Sequence, residues 1–120
     1  MDINEMAKRI MKNPDAGRIG MIATHLGVVR DHSRDGRAVD EINVEYNHSL
    51  INNIIEDIKR LPGIVEVLIE TNEDKLLQVG DEIMAVAVAG DIREHVFPAL
   101  SETVDRVKKE ACRKKEYIRE

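Results

Sequence analysis

Residues 83–89 read Ile-Met-Ala-Val-Ala-Val-Ala, seven apolar residues without a break. A membrane helix needs ~20 such residues, so this run is too short to span a bilayer. An uncharged run of this length predicts a strand buried on both faces, at the centre of a sheet. Gly90-Asp91 ends it, and Asp91 is a candidate cap for a following helix. On that helix Ile92, Val96, Leu100, Val104, Val107 and Ala111 recur at three- and four-residue steps, forming one apolar face. Pro98 lies inside the pattern and predicts a kink or a late start. The helix leads into Lys108, Lys109, Arg113, Lys114 and Lys115. The central strand thus delivers Arg93 at one end of a helix and a lysine cluster at the other, a scaffold suited to an anionic ligand.

The rest of the chain supplies partners for that strand. Asp2 can cap a short helix carrying Ile3, Met6 and Ile10 on one face, stopped by Asn13-Pro14-Asp15-Ala16-Gly17. Residues 19–29 read as a strand, with Gly20 and Gly27 as bend or bulge points. A polar loop from Arg30 turns at Asp35-Gly36, and residues 39–46 alternate as a second strand. A hairpin around that loop is expected. Ser49 can cap a helix with Leu50, Ile51, Ile54, Ile55 and Ile58 as its stripe, ended by Leu61-Pro62-Gly63. Residues 64–70 form a strand, with Val65, Val67 and Ile69 on one face. Residues 71–78 are polar and predict a loop or short edge segment. The order is αββαββα, an α+β fold with a mainly antiparallel sheet packed by helices. A length of 120 residues fits one domain, 1–120.

Charge narrows the function classes. The net charge is −5, but residues 106–120 carry seven Lys/Arg against three Asp/Glu, leaving 11 basic and 20 acidic side chains before them. The acidic body argues against nucleic-acid binding, and with only Phe97, Tyr46 and Tyr117 as aromatics there are no base-stacking platforms. A solvated helix end is the usual meaning of the basic segment. Cys112 is the only cysteine, which excludes an intrachain disulfide and points to a reducing, cytoplasmic compartment. Its basic neighbours could lower its pKa, although a small filler at a helix end is the commoner role. No signal-peptide pattern or membrane-length apolar segment is read.

The chemistry candidates are cationic. His25, His32, His48 and His95 lack metal-ligand spacing, and phosphate-loop and dinucleotide signatures are absent, so no metal or cofactor is assigned. Arg30 stands where a strand enters a polar loop, a common place for ligand-binding residues. Arg93 sits in the first turn of the last helix, where a cation opposes the dipole. Lys108 and Lys115 would share a face if the helix continued, being 20° short of two turns apart. Arg93 and Lys108 would stand about 22 Å apart along a straight helix. Their convergence requires a kink, a second subunit or a chain reversal after Lys108.

Several short segments, taken in order, resemble one family. They are Gly27-Val28-Val29-Arg30-Asp31-His32 with Asp35-Gly36 and Val39; Val44-Glu45-Tyr46 before a helix; and Leu77-Gln78-Val79-Gly80-Asp81-Glu82 before the apolar strand. Arg93 with Phe97-Pro98-Ala99, and Val104-Asp105-Arg106-Val107-Lys108 followed by Lys114-Lys115-Glu116, complete them. From about Gly20 to about Glu116 the chain resembles the large subunit of molybdopterin synthase. The resemblance implies an α/β-hammerhead fold and a sulfurtransferase of molybdenum cofactor biosynthesis. Sulfur would pass from the C-terminal glycine thiocarboxylate of a small ubiquitin-like carrier ending in Gly-Gly to a cyclic pyranopterin phosphate, giving molybdopterin. The large subunit would form a homodimer within a heterotetramer.

By position, the resemblance implies Lys108 and either Lys115 or Lys114 as catalytic lysines, with Arg30, Arg93 and Glu116 binding substrate. Ile92 stands where the family has the histidine of a His-Arg pair, and Thr71-Asn72 falls near an earlier family His-Arg. The family's proline and tryptophan before the second lysine are missing, with Cys112 and Arg113 nearby. Two other readings stay open: a non-catalytic, binding or regulatory dimer of the same fold, and an unrelated α+β interaction module whose basic tail meets an acidic partner or RNA.

Overall fold

In the computed structural model, residues 1–73 and 76–118 are described. Asp74 and Lys75 of the expected 71–78 loop, and Arg119 and Glu120 of the basic segment, lie outside them. The described elements are α1 (Ile3–Ile10), β1 (Met21–Val28), β2 (Val39–Tyr46), α2 (His48–Lys59), β3 (Ile64–Thr71), β4 (Leu77–Gln78), β5 (Glu82–Gly90), α3 (Arg93–Arg106) and β6 (Cys112–Ile118). A 3₁₀ turn covers Ala16–Arg18, and a π-helical turn, Val107–Ala111, joins α3 to β6. The expected order αββαββα is present, with β4 and β6 added to it.

The apolar run is the middle of an antiparallel sheet ordered β1-β5-β3. Its two faces are served by different partners. Met84, Val86 and Val88 point into a core with Ile51, Ile54 and Ile58 of α2 and Val96 and Ala99 of α3. Ala85, Ala87 and Ala89 point the other way, against Met6 and Ile10 of α1. Small side chains on that face let the short helix sit close to the sheet. Asp2 caps α1 as expected, its Oδ1 accepting from Asn4 N at 2.9 Å.

A second antiparallel sheet, ordered β4-β2-β6, encloses Val29, Val39, Ile42, Val44 and Leu77. The expected β1–β2 hairpin is therefore overturned. β1 pairs with β5 and β2 with β6, and the two strands' connection contributes one isolated bridge, His32–Ala38. The intervening loop sends the chain from one sheet to the other instead of folding it back. Its Asp35-Gly36 turn does form, with Gly36 at φ 85°. The bulge expected at Gly27 also appears, as a register shift between Gly27 and Val28.

Four local expectations change. Asn47, not Ser49, caps α2, its Oδ1 accepting from Leu50 N at 3.1 Å. Ile92 occupies the cap position of α3, while Asp91 Oδ1 accepts from Ile92 N at 2.7 Å and contacts His95 Nδ1 at 2.7 Å. The helix runs through Pro98 from Arg93. Its buried face is Val96, Ala99 and Thr103, with Ile92 exposed. Thr103 is accommodated there because its hydroxyl donates to Ala99 O at 2.7 Å.

Candidate active site

The two sheets meet at Tyr46, Ile83 and Cys112, which pack against both cores. A cleft of ≈ 800 Å³ opens along that seam. Its wall combines β1, the β1–β2 loop, β2, the start of β5, the end of α3, the π turn and β6.

Arg30 enters the cleft from a fixed base. Val29 N donates to Asp81 O at 2.9 Å, and Gly80 N donates to Val29 O at 3.0 Å, so the loop starts from an anchored residue. Lys108 and Lys109 come from the π turn, which is held from outside the cleft. Val107 and Ala111 are buried beneath it. Arg106 Nε donates to Glu110 Oε2 at 2.8 Å, and its Nη1 donates to Asp57 Oδ2 on α2 at 2.9 Å. Asn47 N closes the turn by donating to Ala111 O at 2.8 Å.

The chain then reverses as β6, which runs antiparallel to β2 with Lys114 opposite Val44 and Glu116 opposite Ile42. Strand alternation sends Cys112, Lys114 and Glu116 to the cleft. Lys115 goes to the other face, with Nζ 5.1 Å from the Tyr117 ring centroid. The continued helix that would have aligned Lys108 with Lys115 does not form. Arg93 also lies outside the cleft, at the far end of α3, with Nε 3.8 Å from Glu94 Oε1. The structure thus brings Arg30, Lys108, Lys114 and Glu116 to one place and leaves Arg93 and Lys115 elsewhere.

The cleft is strongly cationic. Arg30, Arg34, Lys108, Lys109 and Lys114 line it against two carboxylates, Asp105 and Glu116. Lys114 Nζ lies 3.9 Å from Glu116 Oε2. Among the described residues, Arg30, Arg34, Lys108 and Lys109 make no ion pair. Cations gathered in excess of carboxylates around one concavity repel each other and favour an anion there.

Sequence reasoning passed over His25, Arg34 and Cys112 as cleft residues. His25 was legible from strand phase, since it shares a face of β1 with the buried Ala23. Burial, and secondarily Lys108, hold its pKa below 6.5. Cys112 was a candidate for a lowered pKa. Burial instead pushes the thiol up, and the lowering by Lys114 and Lys108 is smaller. Tyr46, whose hydroxyl donates to Ile83 O at 3.3 Å, is also pushed up, chiefly by burial.

Residues 1–110 match the family model described as MoaE protein. The chain belongs to the MoaE family. The resemblance to the large subunit of molybdopterin synthase is borne out. A molybdopterin synthase catalytic subunit from Ralstonia nicotianae is 32% identical over 102 residues, covering 80% of this chain and 57% of that protein. This MoaE chain therefore spans little more than half the length of that curated relative. An uncharacterised protein of Methanocaldococcus jannaschii is 27% identical over 97 residues, covering 78% of this chain and 81% of its own.

Among solved structures, molybdopterin cofactor biosynthesis protein E from Burkholderia multivorans superposes with a TM-score of 0.78 at 28% identity. That match covers 99% of this chain and 82% of the other. Molybdopterin synthase from Staphylococcus aureus shares the fold, with a TM-score of 0.72 at 21% identity over 86% of this chain and 77% of that one. The α+β class read from the sequence is thus the observed one. Among the described residues, no helix is long and apolar enough to cross a membrane.

Proposed function

We propose that this MoaE chain is the catalytic subunit of a molybdopterin synthase, acting in the cytoplasm as one 120-residue domain. It would transfer sulfur from the C-terminal thiocarboxylate of a small ubiquitin-like carrier to cyclic pyranopterin phosphate. The observation that carries this reading is the chain reversal that sets Lys114 beside Lys108 in one cleft with Arg30. Both ligands are anionic at the end that reacts or anchors, and the cleft supplies Arg30 and Lys108, which make no ion pair among the described residues, beside the Lys114–Glu116 pair.

The roles follow from side-chain chemistry. The Arg30 guanidinium offers a two-pronged donor for the substrate phosphate. Lys108 and Lys114 receive the carrier's tail and stabilise the anionic intermediates of transfer. Lys108, which lines the cleft with Lys109 and Lys114, serves as base or nucleophile. Glu116 orients Lys114. Lys115 faces away, so Lys114 is the second site lysine. A dithiolene contains two sulfurs, so carriers must visit in succession.

Arg93 completes such a site only from another copy, in a homodimer within a heterotetramer. A complex of the two subunits of the molybdopterin-converting factor from Helicobacter pylori has the same fold, with a TM-score of 0.71 at 15% identity over 98% of this chain and 80% of that one. That complex of two subunits supports a small-subunit partner for this chain.

The decisive experiment is incubation with the thiocarboxylated carrier and cyclic pyranopterin phosphate, with the dithiolene product read by mass spectrometry. Product that disappears in the Lys108→Ala variant supports the proposal. A carrier that binds without product formation supports the second reading, a non-catalytic dimer. That reading is favoured by Ile92, which presents an exposed apolar side chain where the family carries histidine.

A further inference from the structure

His25 is a polar residue in a place prepared for an apolar one. It lies on β1 opposite Val86, two residues after the buried Ala23 and on the same face of the strand. That face belongs to the aliphatic core of β1, β5, α2 and α3. At His25 the core gives way to the cleft, which the histidine lines together with Lys108, Tyr46 and Cys112. Its Nε2 is sealed from solvent and has no hydrogen-bond partner among the described residues. Buried nitrogens without partners are rare, and each calls for a reason.

The local backbone adds a second observation. Gly27 follows on the same face, and a Cβ there would stand 3.4 Å from His25 Nε2. A Cβ there would make ordinary contact with Nε2 and enclose it further, so glycine, followed by the bulge, keeps the least material between the imidazole tip and the cleft. An aliphatic residue at position 25 would fill the site without leaving a buried nitrogen unpaired. The unpaired nitrogen is explained by a ligand that supplies the missing acceptor.

We propose that His25 is a ligand-contacting residue of the cleft, its Nε2–H donating to the oxyanion that Lys108 holds. This deepens the functional reading above and rests on the cleft being an anion site. A neutral imidazole carries one N–H, and the tautomer follows the partner, so an oxyanion fixes the proton on Nε2. Burial, and secondarily Lys108, lower the affinity of the ring for a second proton. An anion offsets the field of Lys108, so its arrival raises the affinity of His25 for a second proton. The other titratable and charged groups around the cleft are Arg30, His32, Arg34, Tyr46, Asp105, Lys109, Cys112, Lys114 and Glu116.

The test uses two probes, inorganic phosphate and a synthetic peptide ending in a Gly-Gly carboxylate, which separate the two sources of oxyanion. Binding is measured by calorimetry, and the His25 ring nitrogens are followed by long-range proton–nitrogen NMR. At least one probe should move the Nε2 resonance along a curve with the calorimetric midpoint. His25→Phe should weaken that probe about tenfold or more, as for a lost hydrogen bond to a charged group. His25→Gln, which restores a side-chain N–H donor, should recover most of the loss. Ring resonances that stay fixed at saturation, or Phe binding as tightly as wild type, would overturn the proposal. So would failure of both probes to bind wild type. Should His25→Phe not fold, the wild-type NMR titration and the Gln variant decide. Probes that bind normally in a protein without turnover would remove the synthase reading and leave the His25 contact standing.

Discussion

Lys108 and Lys114 line the same cleft although they belong to different elements, one on a π turn and the other on the strand that follows it. A continuous helix would turn them to different sides, and a continuous strand would put them on one face but about 20 Å apart. The reversal between them depends on Ala111 being buried under the turn and on Asn47 N holding its carbonyl.

The first prediction separates the two candidate second lysines. Lys114→Ala and Lys108→Ala should each lower the rate of product formation on the order of 10²-fold or more, the range for a positioned acid–base group. Lys115→Ala should leave the rate near wild type, because that side chain lies over Tyr117 on the opposite face. All three should change stability by about 0.5 kcal/mol or less, as at most exposed sites. Steady-state kinetics with urea unfolding distinguishes them, and a Lys115→Ala loss as large as that of Lys114→Ala would refute the assignment.

A second prediction concerns the support of the π turn. Arg106→Met removes its bonds to Glu110 and Asp57 while keeping much of the apolar stem. These ion pairs are largely solvated, so stability should fall by about 1 kcal/mol or less. Activity should fall by a larger factor than stability implies, because Lys108 loses its fixed position. Activity tracking the folded fraction alone would show that the clamp does not position Lys108.

Acidification gives a third. The folded-state pKa of His25 lies below 6.5, chiefly through burial, so the unfolded chain takes up this proton first. The neutral ring's contribution is fully present above 6.5 and is lost as pH falls from there towards the lower folded value. Asp91, Asp35 and Glu110 have lowered values, each led by a side-chain hydrogen bond, and act in a separate, more acidic window. Denaturant midpoints measured from pH 7.5 to 5 should therefore decline in wild type and decline less in His25→Phe. Equal slopes would contradict the burial argument.

A fourth prediction addresses the carrier. Its complex with this chain should weaken with added salt, because a tail carboxylate meets cations that screening reaches. Size-exclusion chromatography at rising ionic strength follows the complex. Failure to co-migrate even at low salt would remove the proposed partner.

The two faces of β5 give a fifth. Ala87→Leu should cost ~1–3 kcal/mol by overpacking against α1, where only methyl groups face Met6 and Ile10. Thermal unfolding measures this. A neutral result would mean that α1 is not held close to the sheet.

The sequence made the core of this fold readable where local pattern and tertiary role agree. The 83–89 run could only be a doubly buried strand, and Ile51, Ile54 and Ile58 could only be a helix stripe. The charged segment 112–118 was opaque for the opposite reason. Arg113, Lys114, Lys115 and Glu116 have little intrinsic strand preference, and they extend because β2 offers an edge to pair with. That pairing is between residues far apart in sequence, as is the β1–β5 pairing that displaced the expected hairpin. The site followed the same division. Arg30 and Lys108 were visible as residues, but their neighbours Lys114, His25 and Cys112 became neighbours only through those long-range pairings.

Between Lys108 and Lys114 the chain behaves as a parity counter. Side chains on β6 alternate, so one residue added or deleted in 109–113 would exchange the faces of Lys114 and Lys115 without altering either lysine. Two residues added would restore them. Length variation in this short segment is therefore a switch of chemistry, and an alignment that places a gap here is choosing which lysine meets the ligand.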